Sequence, residues 1–154
     1  MSAPRWVLVV DDNAHNVEYA RQVLVDVGWG VRVAYGGREA LELLRAGGPA
    51  GGGPALVLLD LSMPDVDGWE VARRVRADGA PPPLVACTAH AMRGDRERAL
   101  ASGFDGYLAK PYRPAELLEC VASFLGAAPG GPGTSSGWEL DGPLDDADWE
   151  EGAA

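Results

Sequence analysis

Short apolar runs of strand length alternate five times with stretches whose apolar positions recur every three or four residues. That alternation is the signature of a parallel sheet covered by helices on both faces. The first run, Arg5 to Val10, leads into a helical stretch from Ala14 to Val27, with Val17, Ala20, Leu24 and Val27 on one face and Gly28 to stop it. A second strand over Val31 to Tyr35 precedes a helix around Arg38 to Arg45, whose inward face is Ala40, Leu41 and Leu44. After the glycine-rich loop Gly47 to Pro54, Leu56 to Leu59 is apolar without interruption and ends at Asp60. A run of that kind is buried on both faces, so it reads as a central strand.

Asp67 is placed to N-cap a helix over Trp69 to Ala77, and Glu70, three residues on, completes the pattern of a capping box, with Val71 and Val75 facing inward. Pro81 to Pro83 break the chain before a fourth strand, Leu84 to Thr88. A polar helix from Arg93 to Ser102, stopped by Gly103, leads to a short fifth strand, Tyr107 to Ala109. Pro114 opens a last helix with Leu117, Leu118, Val121 and Phe124 inward. The predicted fold is α/β: a doubly wound, five-stranded parallel sheet of order 2-1-3-4-5 with five helices. Residues 1–126 form the folded domain. Residues 127–154 carry too little apolar surface to offset their ordering entropy and are expected to be a disordered, acidic, Gly/Pro-rich tail. Its Trp138 and Trp149 are unusual in such a context and suit either a docking peptide or a merely solvating tail.

Charge sharpens this division. Of the formal net charge of −10, the tail contributes seven acidic residues and no Lys or Arg, leaving the first 126 residues only mildly acidic. No basic stripe is present, which argues against direct nucleic-acid binding, and a single-domain protein without a DNA-reading output domain is expected. Cys87 and Cys120 lie in apolar segments without metal-ligand spacing and read as buried thiols in a reducing compartment. The apolar run Trp6 to Val10 is too short for a signal peptide or a membrane span. A cytoplasmic protein with no membrane association is the expectation.

Ligands of open parallel sheets sit at the carboxyl ends of the strands, and the reactive residue types of this chain fall there. Asp11 and Asp12 follow the first strand, Asp60 ends the third, Thr88 the fourth, and Lys110 follows the fifth. In the order 2-1-3-4-5, strands one and three are neighbours, so three carboxylates converge. Like charges so placed call for a cation, and an all-oxygen site with few protein ligands suits Mg²⁺. A carboxylate nucleophile, a divalent ion, a lysine and a threonine hydroxyl together fit phosphoryl transfer onto Asp60 as an aspartyl phosphate. Singly, each residue has a plainer reading: paired acids favour helix starts, and Lys-Pro favours turns.

Taken together, these residues resemble the receiver domains of two-component signalling over Arg5 to Leu125. Val7-Leu8-Val9-Val10-Asp11-Asp12-Asn13 is similar to the family's acidic metal-binding turn, and Leu58 through Gly68 to its phosphoacceptor strand and loop. Thr88-Ala89 resembles the switch hydroxyl and the small residue after it, and Tyr107-Leu108-Ala109-Lys110-Pro111 the fifth-strand signature. The resemblance implies a flavodoxin-like receiver fold and a phosphoacceptor at Asp60. It implies Mg²⁺, with Mn²⁺ able to substitute, held by Asp12, Asp60 and the Ser62 backbone carbonyl, with Asp11 acting through water. Thr88, Ala89 and Lys110 would meet the phosphoryl group and Tyr107 would be the switch aromatic. A cis bond before Pro111 is expected, and Ser62 and His90 match positions that tune dephosphorylation. His15 and His90 have no companion of metal-ligand spacing and otherwise read as helix-start and loop residues.

The function implied is a single-domain response regulator. It takes a phosphoryl group from a sensor histidine kinase or a histidine phosphotransfer protein. It signals to a downstream protein through the face of the fourth helix, fifth strand and fifth helix, and is not a turnover enzyme. Arg93, Arg96 and Arg98 make the fourth helix suited to an acidic partner surface or the chain's own tail. A phosphorelay intermediate is the alternative within the class, and a phosphorylation-independent scaffold lies outside it. An aspartate-nucleophile phosphatase would want a second acid where Ser62 stands, and a nucleotide hydrolase would want a phosphate-binding glycine loop that the chain lacks.

Overall fold

The computed structural model describes residues 6–46, 53–79, 81–89 and 94–129. The elements follow one another as β1 (Trp6–Val10), α1 (Ala14–Asp26), β2 (Gly30–Ala34), α2 (Gly37–Ala46), β3 (Leu56–Asp60), α3 (Gly68–Ala77), β4 (Leu84–Thr88), α4 (Asp95–Ala101), β5 (Gly106–Ala109) and α5 (Pro114–Leu125). All strand pairs are parallel, in the order β2-β1-β3-β4-β5. This is the doubly wound α/β sheet expected from the alternation of strand and helix patterns.

Successive side chains of a strand point to opposite faces, so the uninterrupted apolar strands β1, β3 and β4 feed two cores at once. Leu8, Val10, Val57, Leu59, Leu84 and Ala86 pack with α2, α3 and α4 on one face. Val7, Val9, Leu56, Leu58, Val85 and Cys87 pack with α1 and α5 on the other. Every residue of these three strands is buried. The edge strand β2 is buried only at its last residue.

Several details depart from the expected pattern. The second strand runs one residue earlier than Val31–Tyr35, and Tyr35 lies outside it with half its surface exposed. At α3 the Asp67 carboxylate does accept from the Glu70 N–H at 2.9 Å, but the reciprocal half of the capping box does not form. Glu70 turns instead to Arg73 at 2.5 Å and Arg74 at 2.7 Å, where opposite charges one turn along outcompete a neutral N–H. Cys120 is only part-buried, unlike Cys87. The described part of the fourth helix begins at Asp95 behind Gly94, which has φ of 89°. His90, Arg93, the 47–52 loop and residues 130–154, with Trp138 and Trp149, lie outside the described residues.

Candidate functional site

Asp11, Asp60, Thr88 and Lys110 come to one edge of the sheet because each strand ends in register with its neighbour. Val10 stands opposite Leu59, Asp60 opposite Cys87, and Thr88 opposite Ala109. Backbone bonds carry the pairing past the strand ends. Asp11 N–H donates to the Ala34 carbonyl at 3.1 Å, Leu61 N–H to Cys87 at 3.0 Å, and Lys110 N–H to Thr88 at 2.8 Å.

Within that frame Asp11, Asp12 and Asp60 each present a carboxylate oxygen, and these atoms lie within 4.8 Å of one another. Asp11 and Asp60 are 5% and 4% exposed, whereas Asp12 faces solvent. The Asp11 carboxylate accepts from the Asn13 N–H at 2.9 Å and from the Lys110 ammonium at 2.5 Å. Asp60 accepts from the Ser62 N–H at 3.3 Å and lies 3.2 Å from the same ammonium. Burial pushes the Asp60 carboxyl up from its ordinary value to about 6. The Asp11 charge adds to that rise, while Lys110 and the Ser62 N–H oppose it. Burial works against the Lys110 charge too, but its bond to Asp11 and the attraction of both aspartates prevail and raise its pKa.

Three carboxylates facing one ammonium leave an uncompensated negative charge in a largely buried pocket. The donor set is all oxygen, with two buried carboxylates and one open to solvent. Such a site fits a hard divalent cation that retains part of its water shell, as Mg²⁺ does.

Around this centre, Thr88 is buried at the end of β4 and Ala89 is exposed beside it. The Tyr107 hydroxyl is buried and meets no hydrogen-bond partner among the described residues. Burial, followed by the nearby Asp95 charge, raises its pKa. The Lys110–Pro111 bond is cis. Next to it, Tyr112 is buried, and the Tyr19 hydroxyl donates to its carbonyl at 3.0 Å. The Cys87 thiol, opposite Asp60 in the sheet, is pushed up to about 12 by burial, so it is an inert packing group at neutral pH. Two contributors had no local signal in the sequence. Gly37 and Arg38 open α2 and reach the loop after β3, Arg38 meeting Asp65 across 27 residues of chain, a contact only the folded topology creates.

The chain matches the response regulator receiver domain family over residues 7–122. It is 34% identical to the polar-differentiation response regulator DivK of Brucella anthropi over 127 residues, which cover 81% of this chain and 99% of that protein. The chain belongs to the response-regulator receiver family. A 14.6 kDa protein of Leptolyngbya boryana is 41% identical over 125 residues, covering 80% of this chain and 92% of its own length. Among solved structures, a response regulator receiver protein from Burkholderia phymatum superposes with a TM-score of 0.70 at 38% identity, covering 81% of this chain and 98% of its own. The Vibrio cholerae chemotaxis protein CheY4 superposes with a TM-score of 0.71 at 27% identity, covering 79% and 99%.

Receiver domains of response regulators are signalling proteins, not turnover enzymes, and they bind Mg²⁺ at an acidic pocket. In this receiver the cluster of Asp11, Asp12 and Asp60 has the composition of such a pocket. No described helix is long and apolar enough to cross a membrane.

Proposed function

We propose that this receiver accepts a phosphoryl group on Asp60 from the phosphohistidine of a sensor histidine kinase or a histidine phosphotransfer protein, in a Mg²⁺-dependent reaction, and signals by altered protein contacts. The observation that carries the reading is the convergence of three carboxylates within 4.8 Å, with the Lys110 ammonium 3.2 Å from Asp60.

Asp12, Asp60 and the Ser62 carbonyl are the proposed direct ligands, with Asp11 acting through water. Bound there, Mg²⁺ would neutralise charge on the transferring group and hold its oxygens. Asp60 must attack as the carboxylate, and Lys110 opposes the protonation that burial would otherwise favour. One Asp60 oxygen bonds to phosphorus as the bond from phosphorus to the imidazole nitrogen breaks, and that nitrogen keeps the electron pair. Lys110 then balances charge on the phosphoryl oxygens, the Thr88 hydroxyl donates to one of them, and the small Ala89 leaves them room. Ser62 and His90 are assigned the tuning of dephosphorylation, and with it the lifetime of the product.

The downstream effect is assigned to the face formed by α4, β5 and α5. Tyr107 supports this: its buried hydroxyl meets no partner among the described residues, which gives the ring a reason to exchange between positions as Thr88 moves. The donor is an intracellular module, so the reaction is assigned to the cytoplasm. Residues 1–126 are taken as the receiver and residues 127–154 as an appended tail.

The test is intact-mass measurement after treatment with acetyl phosphate and Mg²⁺, comparing wild type with Asp60→Asn. A single phosphoryl adduct that requires Mg²⁺ and is absent in Asp60→Asn is the expected result. Back-transfer of the group to a histidine phosphotransfer protein would make the domain a relay intermediate. An absence of adduct from both acetyl phosphate and a phosphorylated kinase would leave a phosphorylation-independent scaffold.

A further inference from the structure

The seven residues between Asp60 and Gly68 include the Ser62 carbonyl assigned above to the metal, yet they form no helix or strand. Their ends are secured: Ser62 N–H bonds the Asp60 carboxylate at 3.3 Å, and Asp67 caps α3. The middle bends through Asp65, whose φ of 71° makes it the only described residue other than glycine in the left-handed region. A side chain with a Cβ adopts that conformation against a steric penalty, smallest for Asn and Asp, which a contact from another element can offset.

The turn between β2 and α2 supplies the hold. A Cβ on Gly37 would come within 2.3 Å of the Val66 carbonyl oxygen and 2.7 Å of the Val66 Cβ, so the backbone of α2 lies directly on the loop. Arg38 presents its guanidinium edge to the Asp65 carboxylate, with Nε to Oδ2 and Nη2 to Oδ1 at 3.3 Å. Val66 is buried in the core that Ala34 and Ala40 also line. The same turn reaches the other half of the acidic site, because the Ala34 carbonyl accepts from the Asp11 N–H at 3.1 Å.

We propose that Arg38 is a positioning residue for the acidic site: by pairing with Asp65 it holds the phosphoacceptor loop in the conformation that presents the Ser62 carbonyl to the cation. The inference rests on the metal-binding reading above. It makes a prediction opposite in sign to simple electrostatics. As a positive charge near a cation site, Arg38 should weaken metal binding, and its removal should tighten it. As a positioning residue, its removal should loosen binding.

The experiment is calorimetric titration of the full chain with Mg²⁺ alone, for Arg38→Ala, Asp65→Ala and Asp65→Gly, with amide hydrogen exchange of the metal-free proteins in parallel. Arg38→Ala and Asp65→Ala are each expected to weaken Mg²⁺ binding several-fold and to speed exchange at the amides of Met63, Asp65 and Val66. Asp65→Gly accepts the left-handed conformation without penalty, so it is expected to bind more tightly than Asp65→Ala although both remove the same charge. Unchanged or tighter binding by Arg38→Ala, or equal binding by the two Asp65 variants, would overturn the proposal. If the wild type binds no Mg²⁺, the metal reading fails by itself, and hydrogen exchange still decides whether Arg38 holds the loop. Faster exchange in Arg38→Ala supports the hold, and unchanged exchange refutes it.

Discussion

Asp60 carries the largest conflict between local environment and assigned task. Its carboxyl is raised to about 6 chiefly by burial, so in the metal-free protein it binds a proton more tightly than in the unfolded chain. The stability this lends is complete below the ordinary value of 3.8 and is lost as pH rises through about 6. Metal-free wild type is therefore expected to lose stability between about pH 4 and 7 relative to Asp60→Asn, which lacks the titration. Denaturant unfolding of the two proteins across that range checks the sign. Added Mg²⁺ should restore the wild type at neutral pH and do much less for Asp60→Asn. Tyr107→Phe is a second test at this scale. It deletes a buried hydroxyl that meets no partner among the described residues, so stability is expected to hold or to rise by up to about 1 kcal/mol, read from the denaturation midpoint. The aspartates, Thr88 and Lys110 could be picked out beforehand because residue type and strand-end position are both local. The Asp60 shift, the Tyr107 hydroxyl and the Arg38 contact depend on what lies across the fold, and no local pattern carries them.

Among the elements, β3 and α3 with the loop between them govern the site. Gly68 begins α3 with its backbone against the strand end: a Cβ there would fall 2.3 Å from the Asp60 carbonyl oxygen and 2.9 Å from the Leu61 Cα. Neither atom can yield without moving Asp60 itself. Gly68→Ala is thus expected to cost about 2–3 kcal/mol and to slow phosphorylation by acetyl phosphate, whereas an alanine in open space would do neither. Asp67→Ala should cost about 1 kcal/mol through loss of the N-cap, with a smaller effect on the reaction. Both costs are measurable by urea denaturation. Helix α1 was legible because Val17, Ala20 and Leu24 follow a helical period and are buried. The one-residue slip at β2 has a cause: an edge strand with intermediate and exposed positions provides a weaker pattern than a central one. The capping box at α3 failed for want of knowing that Arg73 and Arg74 would both claim Glu70.

For the whole molecule, the two cores on either face of the sheet account for all five described helices, and the last of these ends at Leu125. Beyond it, Ala128 still packs partly against the α1–α5 core. A chain ending at Pro129 is accordingly expected to unfold within about 2 °C of the full-length protein, as measured by calorimetry, and a larger drop would give the acidic segment a structural role. The sequence alone determined the alternation of strands and helices, the depth of the central strands and the residues at the strand ends, because backbone periodicity and side-chain chemistry are properties of neighbouring positions. Only the tertiary structure decided how strongly burial perturbs Asp60, that Lys110 is shared between Asp11 and Asp60, and that α2 lies on the loop after β3. Those depend on distances between groups far apart in the chain, and such distances exist only once the sheet has closed its register and the helices have packed onto it.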